Sequence, residues 1–474
     1  MEYLFPESLN NIWSISTLTH CNLNGIQRSE RWIPKISSIS TSIEYISLEH
    51  SVFEMPSLSH LFHCTPHLKS LSLFASSTYS DVPMDCVIPS MKSLKIHYET
   101  LIDSLQYIFQ TMPNLRHLTI DTRRMYFDGY EWEQIITNYL PKLKIFRLKM
   151  DLSPEMHMNI MTKNVDELLL TYRTTFWLEE HRWFIQCDYD SESLQPIMVY
   201  TLPYAFHNYR YSNKHCSKST CPNEENYWSY DSVETISRNN NEKTLFNAYI
   251  LRHPRFPSIR HLEIRLPLDD CFSLLFPSLN RLTSLNVDYF NDVSYSQLQM
   301  LIDQAPFLYS LKLDPRQRLH SQLFQLTSKS IRRLDIKFNP SAYSYKFSAE
   351  DCMNLINSPL GFQCEVLYID VSSRNGALDL IYKMPNLRLL VFKSEDDQFF
   401  KNSSFLPTND ELAQWLRDHL PSSYTTFRDP RSFETRVWID RQNRKHVLPS
   451  NDGVTTTWQN KFSGFLSTIK QFFS

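Results

Sequence analysis

The sequence predicts an α/β fold of the irregular repeat-solenoid type: parallel strands on a concave face, short helices outside, an inserted β-hairpin and loop segment, and a C-terminal cap. Three observations predict it. The phrase TMPNLRHLTI at residues 111–120 returns as KMPNLRLLVF at 383–392. Between and beyond these copies, an apolar anchor followed by apolar residues three and five positions later recurs with a period near 24. Short helical patterns end at prolines just ahead of several anchors. A supersecondary unit that returns at such a period cannot bury its own apolar side, so its copies stack and share one core.

Thirteen anchors fit: Leu18, Ile43, Leu68, Met91, Leu115, Leu143, Val165, Ile259, Leu282, Leu308, Ile331, Val366 and Leu387. Neighbouring anchors are 21 to 28 residues apart, except for one spacing of 35 and one jump of 94 between Val165 and Ile259. Seven carry proline two residues before them, at positions 66, 89, 113, 141, 257, 306 and 385.

Each unit reads as helix, proline, strand. The Leu-x-Leu end of the triplet, with polar residues between, is a half-buried strand, because side chains alternate faces with period two. In SLSHLFHC, residues Leu58, Leu61 and Phe62 share one helical face. The same holds for Leu101, Leu105, Ile108 and Phe109, and for Trp132, Ile135, Ile136 and Tyr139. Proline stops each helix, since the residue before it is pushed out of helical geometry.

This unit resembles the leucine-rich-repeat family, whose repeat begins L-x-x-L-x-L and runs 20–29 residues. The resemblance covers residues 15 to 395 apart from the gap. It departs at the Asn or Cys expected eight residues after the anchor, where Ser76, Arg123 and Phe290 stand. The irregular style and the aromatic-rich C-terminal segment look like the repeat half of F-box/leucine-rich-repeat proteins. That resemblance implies a substrate receptor working through a cullin-ligase adaptor. An F-box itself is not expected here: the nearest stretch, LFPESLNNIW, has Glu7 out of register, and the repeats start directly after it.

The jump of 94 predicts an aromatic-rich insertion at 171–256, between repeat blocks at 1–170 and 257–395. RWFIQCD and IMVYTL read as a hairpin. The polar SNKHCSKSTCPNEENYWSYDS reads as a loop. Insertions in such arrays gather on one face, often the binding face. Trp177, Tyr189, Tyr204, Tyr209, Tyr211 and Trp228 are therefore candidate partner contacts, since Trp and Tyr dominate interface hot spots. Trp183 is expected to pack the insertion's own core.

Metal and catalytic readings are weaker. WLEEHR lacks the His-Glu-x-x-His order of zinc proteases, with Glu ahead of a single His181. His215, Cys216 and Cys221, even with Cys187, lack the paired spacing of structural zinc. No nucleophile triad or carboxylate pair stands out. Only six glycines occur and none cluster, which excludes the phosphate-cradling loops of Rossmann and P-loop enzymes.

Charge argues against nucleic acid. The net charge is −3. Strand positions two, four and six after each anchor point to the concave face. They hold the basic residues Lys95, Arg147, Lys149, Arg265, Lys312, Arg333, Lys337 and Lys393. They also hold the acidic Glu49, Asp121, Glu167, Glu263, Asp288, Asp314, Asp335 and Asp370. A groove that follows phosphates needs a surplus of positive charge. A protein ligand fits this balance better, with Arg147, Arg265 and Arg333 as further candidate contacts.

Nine scattered cysteines show no framework spacing, and the opening MEYLFPESLN has neither a basic start nor an apolar run. No apolar stretch approaches the roughly 20 residues needed to span a bilayer. These features predict a reduced cytoplasmic or nuclear setting without a transmembrane segment.

Residues 396–448 are expected to cap the array. Thr408 and Glu411 form a capping box ahead of a helix burying Leu412, Trp415, Leu416 and Leu420. SFETRVWID reads as a strand with Phe433, Thr435, Val437 and Ile439 on one side. The tail at 449–474 puts Trp458, Phe462, Phe465, Leu466, Ile469 and Phe472 on one helical stripe, expected to dock back on the protein, with a membrane surface or a partner as the alternatives. No cofactor is called for. The expected function is non-catalytic protein recognition, with substrate selection in ubiquitin ligation as its setting. The alternatives are a repeat scaffold unrelated to ubiquitin and an enzyme sited in 171–256.

Overall fold

The structure is a computed structural model that describes residues 10–23, 33–53, 55–75, 86–98, 103–123, 127–152, 164–190, 196–211, 215–222, 229–238, 256–268, 272–288, 295–314, 324–337, 345–397, 411–429 and 434–440. It is mixed α/β, with open, largely parallel sheets. The chain divides into two compact units: Met1–Tyr345 with Asn357–Leu360, and Lys346–Ile356 with Gly361–Ser474. The border between them falls inside the block expected at 257–395.

In the first unit many rungs are built alike, while the Ile43 and Ile331 N–H groups donate instead to the side chains of Ser40 and Ser328. A β-turn precedes the anchor, and the anchor's N–H closes it. Leu68 donates to the Thr65 carbonyl at 3.2 Å, Leu115 to Met112 at 3.0 Å, Leu143 to Leu140 at 3.0 Å and Leu308 to Ala305 at 3.1 Å. Proline stands at the second position of each of these turns. Its fixed φ suits that position, and its missing N–H has no bond to make there. Proline thus shapes the turn as well as ending the helix.

The next two N–H groups then clamp onto the preceding rung. Lys69 and Ser70 donate to the Glu44 carbonyl, Lys92 and Ser93 to Lys69, Arg116 and His117 to Lys92, and Lys144 and Ile145 to Arg116. The strands β1 (His20–Asn22), β2 (Tyr45–Phe53), β3 (Ser70–Ala75), β4 (Ser93–Tyr98), β5 (His117–Arg123) and β6 (Ile145–Asp151) follow in parallel. Their register sets Leu71, Leu94, Leu118 and Phe146 side by side. These residues are buried. Helices α1 (Met55–Cys64), α2 (Asp103–Gln110) and α3 (Gly129–Tyr139) add Leu58, Leu61, Phe62, Leu105, Ile108, Phe109, Trp132, Ile135 and Ile136 to the same core. Alternation sends the residues between to the opposite face, called the open face below.

The Val165 triplet is not a strand. Val165–Thr171 is helix α4, and Leu170 is 60% exposed. The Asn164 side chain accepts from the Asp166 and Glu167 N–H groups, and the Glu167 side chain accepts from the Asn164 N–H. This capping box fixes a helix start. It also removes Glu167 from the open face.

A π-helical turn, Phe176–Glu180, leads into the expected hairpin of β7 (Ile185–Asp190) and β8 (Pro196–Thr201). Strand β8 runs antiparallel to β6, with Tyr200 opposite Lys149. His215–Ser219, expected as loop, is strand β10, antiparallel to β7. It covers the edge of β7, whose backbone groups would otherwise be left without a strand partner.

Two further rungs lie inside 171–256, so the insertion is shorter than expected. Strands β9 (Asn208–Tyr211) and β11 (Thr235–Arg238) are parallel, with Tyr209 beside Ile236. Ile236 in turn pairs with Leu262 of β12 (His261–Arg265). Phe206 and Tyr209 fill the anchor and +3 places of one rung, and Val233 and Ile236 those of the other; all four are buried. Strands β13 (Ser284–Asp288), β14 (Ser310–Asp314) and β15 (Arg333–Asp335) continue in parallel, aligning Leu262, Leu285, Leu311 and Leu334. Helices α5 (Phe272–Leu275) and α6 (Tyr295–Gln304) fall between these strands in the chain.

The second unit holds α7 (Ala349–Ile356), β16 (Val366–Val371), α8 (Arg374–Lys383), β17 (Leu389–Ser394), α9 (Glu411–His419), β18 (Thr425–Arg428) and β19 (Thr435–Trp438). Strands β16 and β17 are parallel, with Leu367 opposite Leu390 and Ile369 opposite Phe392. The rung is therefore Cys364/Leu367/Ile369, two residues ahead of the expected Val366/Ile369/Val371. The capping helix buries Leu412 and Leu416, and β19 turns Thr435 and Val437 inward, with Ile439 buried just beyond it. Thr408, Phe433 and the tail at 449–474 lie outside the described residues. Among the described residues no helix is long and apolar enough to cross a membrane.

Candidate functional site

The open face of β3 to β6 carries a connected row six residues after each anchor. The Phe74 ring stacks on His97 with centroids 4.5 Å apart. His97 Nδ1 lies 3.3 Å from Asp121 Oδ2, and Lys149 Nζ lies 3.1 Å from the same oxygen. Lys149 also sits over the Phe206 ring at 5.6 Å. The parallel register places His97 beside Asp121 and Asp121 beside Lys149, so three separate repeats assemble one group. Burial alone would raise the Asp121 carboxyl, but Lys149 and the hydrogen-bonded His97 outweigh it and hold it down at about 2. Asp121 is thus an anchored carboxylate at neutral pH. Two residues further along β6, Arg210 reaches Asp151 at 3.4 Å.

The expected contact residues divide. Arg147 stands exposed on this face. Arg265 on β12 and Arg333 on β15 are half-buried on the corresponding face of the later strands. Tyr189 is half-buried under the Lys218 ammonium, 5.4 Å from its ring centroid. Trp177, Tyr204 and Tyr209 are core residues rather than contacts. The Trp177 indole N–H donates to the Gly129 carbonyl at 3.1 Å, and the Tyr204 hydroxyl to the Asn208 carbonyl at 2.5 Å. Each is at most 2% exposed. Aromatic density here fills the join between the hairpin and the next rung, where bulky rings take the place of leucine. Trp183 is buried, as expected. Trp228 lies outside the described residues, as does the Tyr211 side chain.

Beneath that join sits a buried polar cluster that sequence reasoning missed. Asp188 is fully buried and accepts hydrogen bonds from Tyr209 at 2.9 Å, Tyr200 at 3.3 Å and Ser217 at 2.5 Å. Tyr200 and Tyr230 share a bond of 2.9 Å, and Gln186 donates to Tyr230 at 3.3 Å. Burial pushes the Asp188 carboxyl up to about 6 despite the hydrogen bonds from Ser217, Tyr209, Gln186 and Tyr200. The sequence signal was Gln186 and Asp188 alternating with apolar Ile185 and Cys187, a polar side of a strand that turns out to face protein.

A cavity of about 630 Å³ opens beside α5 and α6, lined by Phe272, Phe276, Leu279, Gln297 and Met300 among others. Among the described residues its lining includes no acidic or basic side chain. Among the described residues no group of three or more His, Cys, Asp or Glu side chains is placed to hold a metal ion. No protein-family model matches the chain, and no curated protein matches it.

Proposed function

We propose that this chain is a non-catalytic protein-recognition module of the leucine-rich-repeat kind, taking its partner on the open strand face. One observation carries the reading. Consecutive parallel strands bury their Leu-type residues on one side and lay polar and charged residues in register on the other, with exposed cations such as Lys95, Arg147 and Lys312 among half-buried carboxylates such as Asp121, Glu263 and Asp335. Such a surface recognises by shape and charge complementarity, which gives specificity and association rate. The setting we infer from the family resemblance is substrate selection in ubiquitin ligation, with attachment through a cullin-ligase adaptor.

The test is affinity capture of the full chain and of an Arg147→Glu/Arg265→Glu/Arg333→Glu variant from native cells, read by mass spectrometry. Point substitutions are preferred to removal of 171–256, because that segment supplies two rungs and the Asp188 cluster. The expected result is one or more proteins retained by the native chain and lost by the variant, with ligase adaptors on both. Identical captures would overturn recognition by this face. Partners without any ligase component would leave a recognition scaffold and remove the ubiquitin setting.

A further inference from the structure

One row of the first unit is charged in a way that the fold does not use. The residue just after each anchor donates its N–H to its counterpart on the preceding rung, which stacks Lys92, Arg116 and Lys144 on consecutive rungs. Neighbouring strands lie about 4.8 Å apart, so the three cations span roughly 10 Å. All three side chains are exposed, and among the described residues none makes an ion pair. Elsewhere the same row neutralises itself: Glu44 pairs with Lys69 at 2.5 Å, and Glu234 with Arg260 at 3.3 Å. The second unit does likewise with Glu365 and Arg388 at 3.6 Å. Three like charges on adjacent strands are unfavourable to the fold.

The surroundings add to the charge. Lys142 precedes the Leu143 anchor, and Lys95 and Arg147 stand four residues after theirs; all three are exposed. The described carboxylates on the open face of β4 to β6 are already engaged, Asp121 by Lys149 and Asp151 by Arg210. Charge is therefore balanced over the whole array and segregated locally.

We propose that Lys92, Arg116 and Lys144 form a docking strip for an acidic, extended segment of a partner protein. The proposal rests on the recognition reading above and names the partner's chemistry. An extended segment advances about 3.3 Å per residue and shows alternate side chains to one side. Two or three alternating carboxylates therefore match the strip. Single-stranded nucleic acid is the weaker fit, because it binds through aromatic stacking platforms alongside charge. From one residue before the anchor to four after it, the outward positions of these rungs are Ser90, Asn114, Lys142, Lys92, Arg116, Lys144, Ser93, His117, Ile145, Lys95, Thr119 and Arg147, with no Phe, Tyr or Trp.

The test is fluorescence anisotropy on the full chain with three labelled probes: a twelve-residue peptide alternating Glu and Ser, its Gln counterpart, and a twelve-nucleotide oligothymidylate. The variants are Lys92→Glu/Arg116→Glu/Lys144→Glu and a control with equal charge change on other exposed cations, Arg281→Glu/Lys329→Glu/Arg417→Glu. Thermal melts confirm that both fold. The strip predicts binding of the Glu peptide that weakens with salt and falls about tenfold or more in the first variant but not the control. Absence of Glu-peptide binding, or equal loss in both variants, overturns it. So does oligothymidylate that binds through the same residues and displaces the peptide. If the peptide fails while the native chain still captures partners through Arg147, Arg265 and Arg333, only the acidic-segment proposal falls. If the peptide binds but that capture does not depend on the arginines, the open-face reading falls instead.

Discussion

The Asn114 side-chain amide donates to the Pro89 carbonyl at 2.9 Å, tying the MPN turn of one rung to the proline turn of the rung before it. In the second unit Asn386 does the same to the Phe362 carbonyl at 2.7 Å, and Phe362 holds the place that Pro89 holds. The repeated Met-Pro-Asn-Leu-Arg phrase is thus a turn, a lateral tie and an anchor in five residues. Asn114 also accepts from Lys142 Nζ at 2.5 Å, carrying the tie to the next rung. Asn114→Ala is expected to lower stability by about 1 kcal/mol, the usual net worth of one such bond. Asn386→Ala is expected to cost a similar amount. Urea titration of each variant checks this, and a loss indistinguishable from zero at both sites would show that the tie is incidental.

Gly129 opens α3 where the backbone of α4 passes closest. A Cβ built there would lie 2.2 Å from the Thr171 carbonyl oxygen. The glycine N–H donates to Thr171 Oγ1 at 2.7 Å, and its carbonyl receives the Trp177 indole. Backbone cannot yield as a flexible side chain can, so Gly129→Ala is expected to cost at least the ~1–3 kcal/mol of an overpacked core. The expected readout is a lower melting temperature with altered Trp177 emission. Unchanged stability would mean that the two helices separate freely.

Two aspartates, Asp121 half-buried and Asp188 fully buried, predict opposite pH dependences. Asp121 is held at about 2, below the ~3.9 of an unfolded chain. Its contribution is present above pH 4 and is lost as pH falls through 2, a matter of about 2–3 kcal/mol. Asp188 is pushed up to about 6. Its proton favours the folded state, so that contribution is whole below pH 4 and is lost as pH rises through 6. Stability of Asp188→Asn relative to the native chain should therefore rise by about 2–3 kcal/mol between pH 4 and pH 7.5. Asp121→Asn should lose ground over pH 2 to 5. Urea midpoints across pH 2–8 measure both; a flat difference curve for Asp188→Asn would place its carboxyl in the ordinary range.

The rungs were legible because each is local: a turn proline, an apolar anchor and two alternating apolar residues lie within eight positions. Where one part was replaced, the pattern failed in a physical way. Phe206 and Tyr209 fill leucine places with rings, which pack against the rings of Tyr200, Tyr204, Tyr230 and Phe256. Cys364 is a small apolar anchor that a search for Leu or Ile passes over. The Phe74–His97–Asp121–Lys149 row was half visible, since Asp121 and Lys149 were read on the open face, but the link to His97 needs lateral register. The Asp188 cluster was not legible at all, because its partners come from four separate strands and one loop residue. Trp177, Tyr204 and Tyr209 were misassigned for the related reason that aromatic richness marks a bulky core as readily as a contact surface.

Leu170 and Ile236 test that distinction directly. The spacing pattern makes Leu170 the third buried residue of a rung, yet it ends up on the exposed side of α4. Ile236 was hidden in the expected insertion, yet it is 1% exposed between Tyr209 and Leu262. Leu170→Ala should change stability by no more than about 0.5 kcal/mol, as surface substitutions do. Ile236→Ala should cost about 2–5 kcal/mol, the sum of lost transfer energy and a cavity the neighbouring strands cannot close. Paired urea titrations decide between the two placements. Equal losses at both positions would mean that residues 165–171 spend their time as a strand and that the capping box does not hold the helix; a large loss at Ile236 alone confirms that the parallel array runs through 206–238.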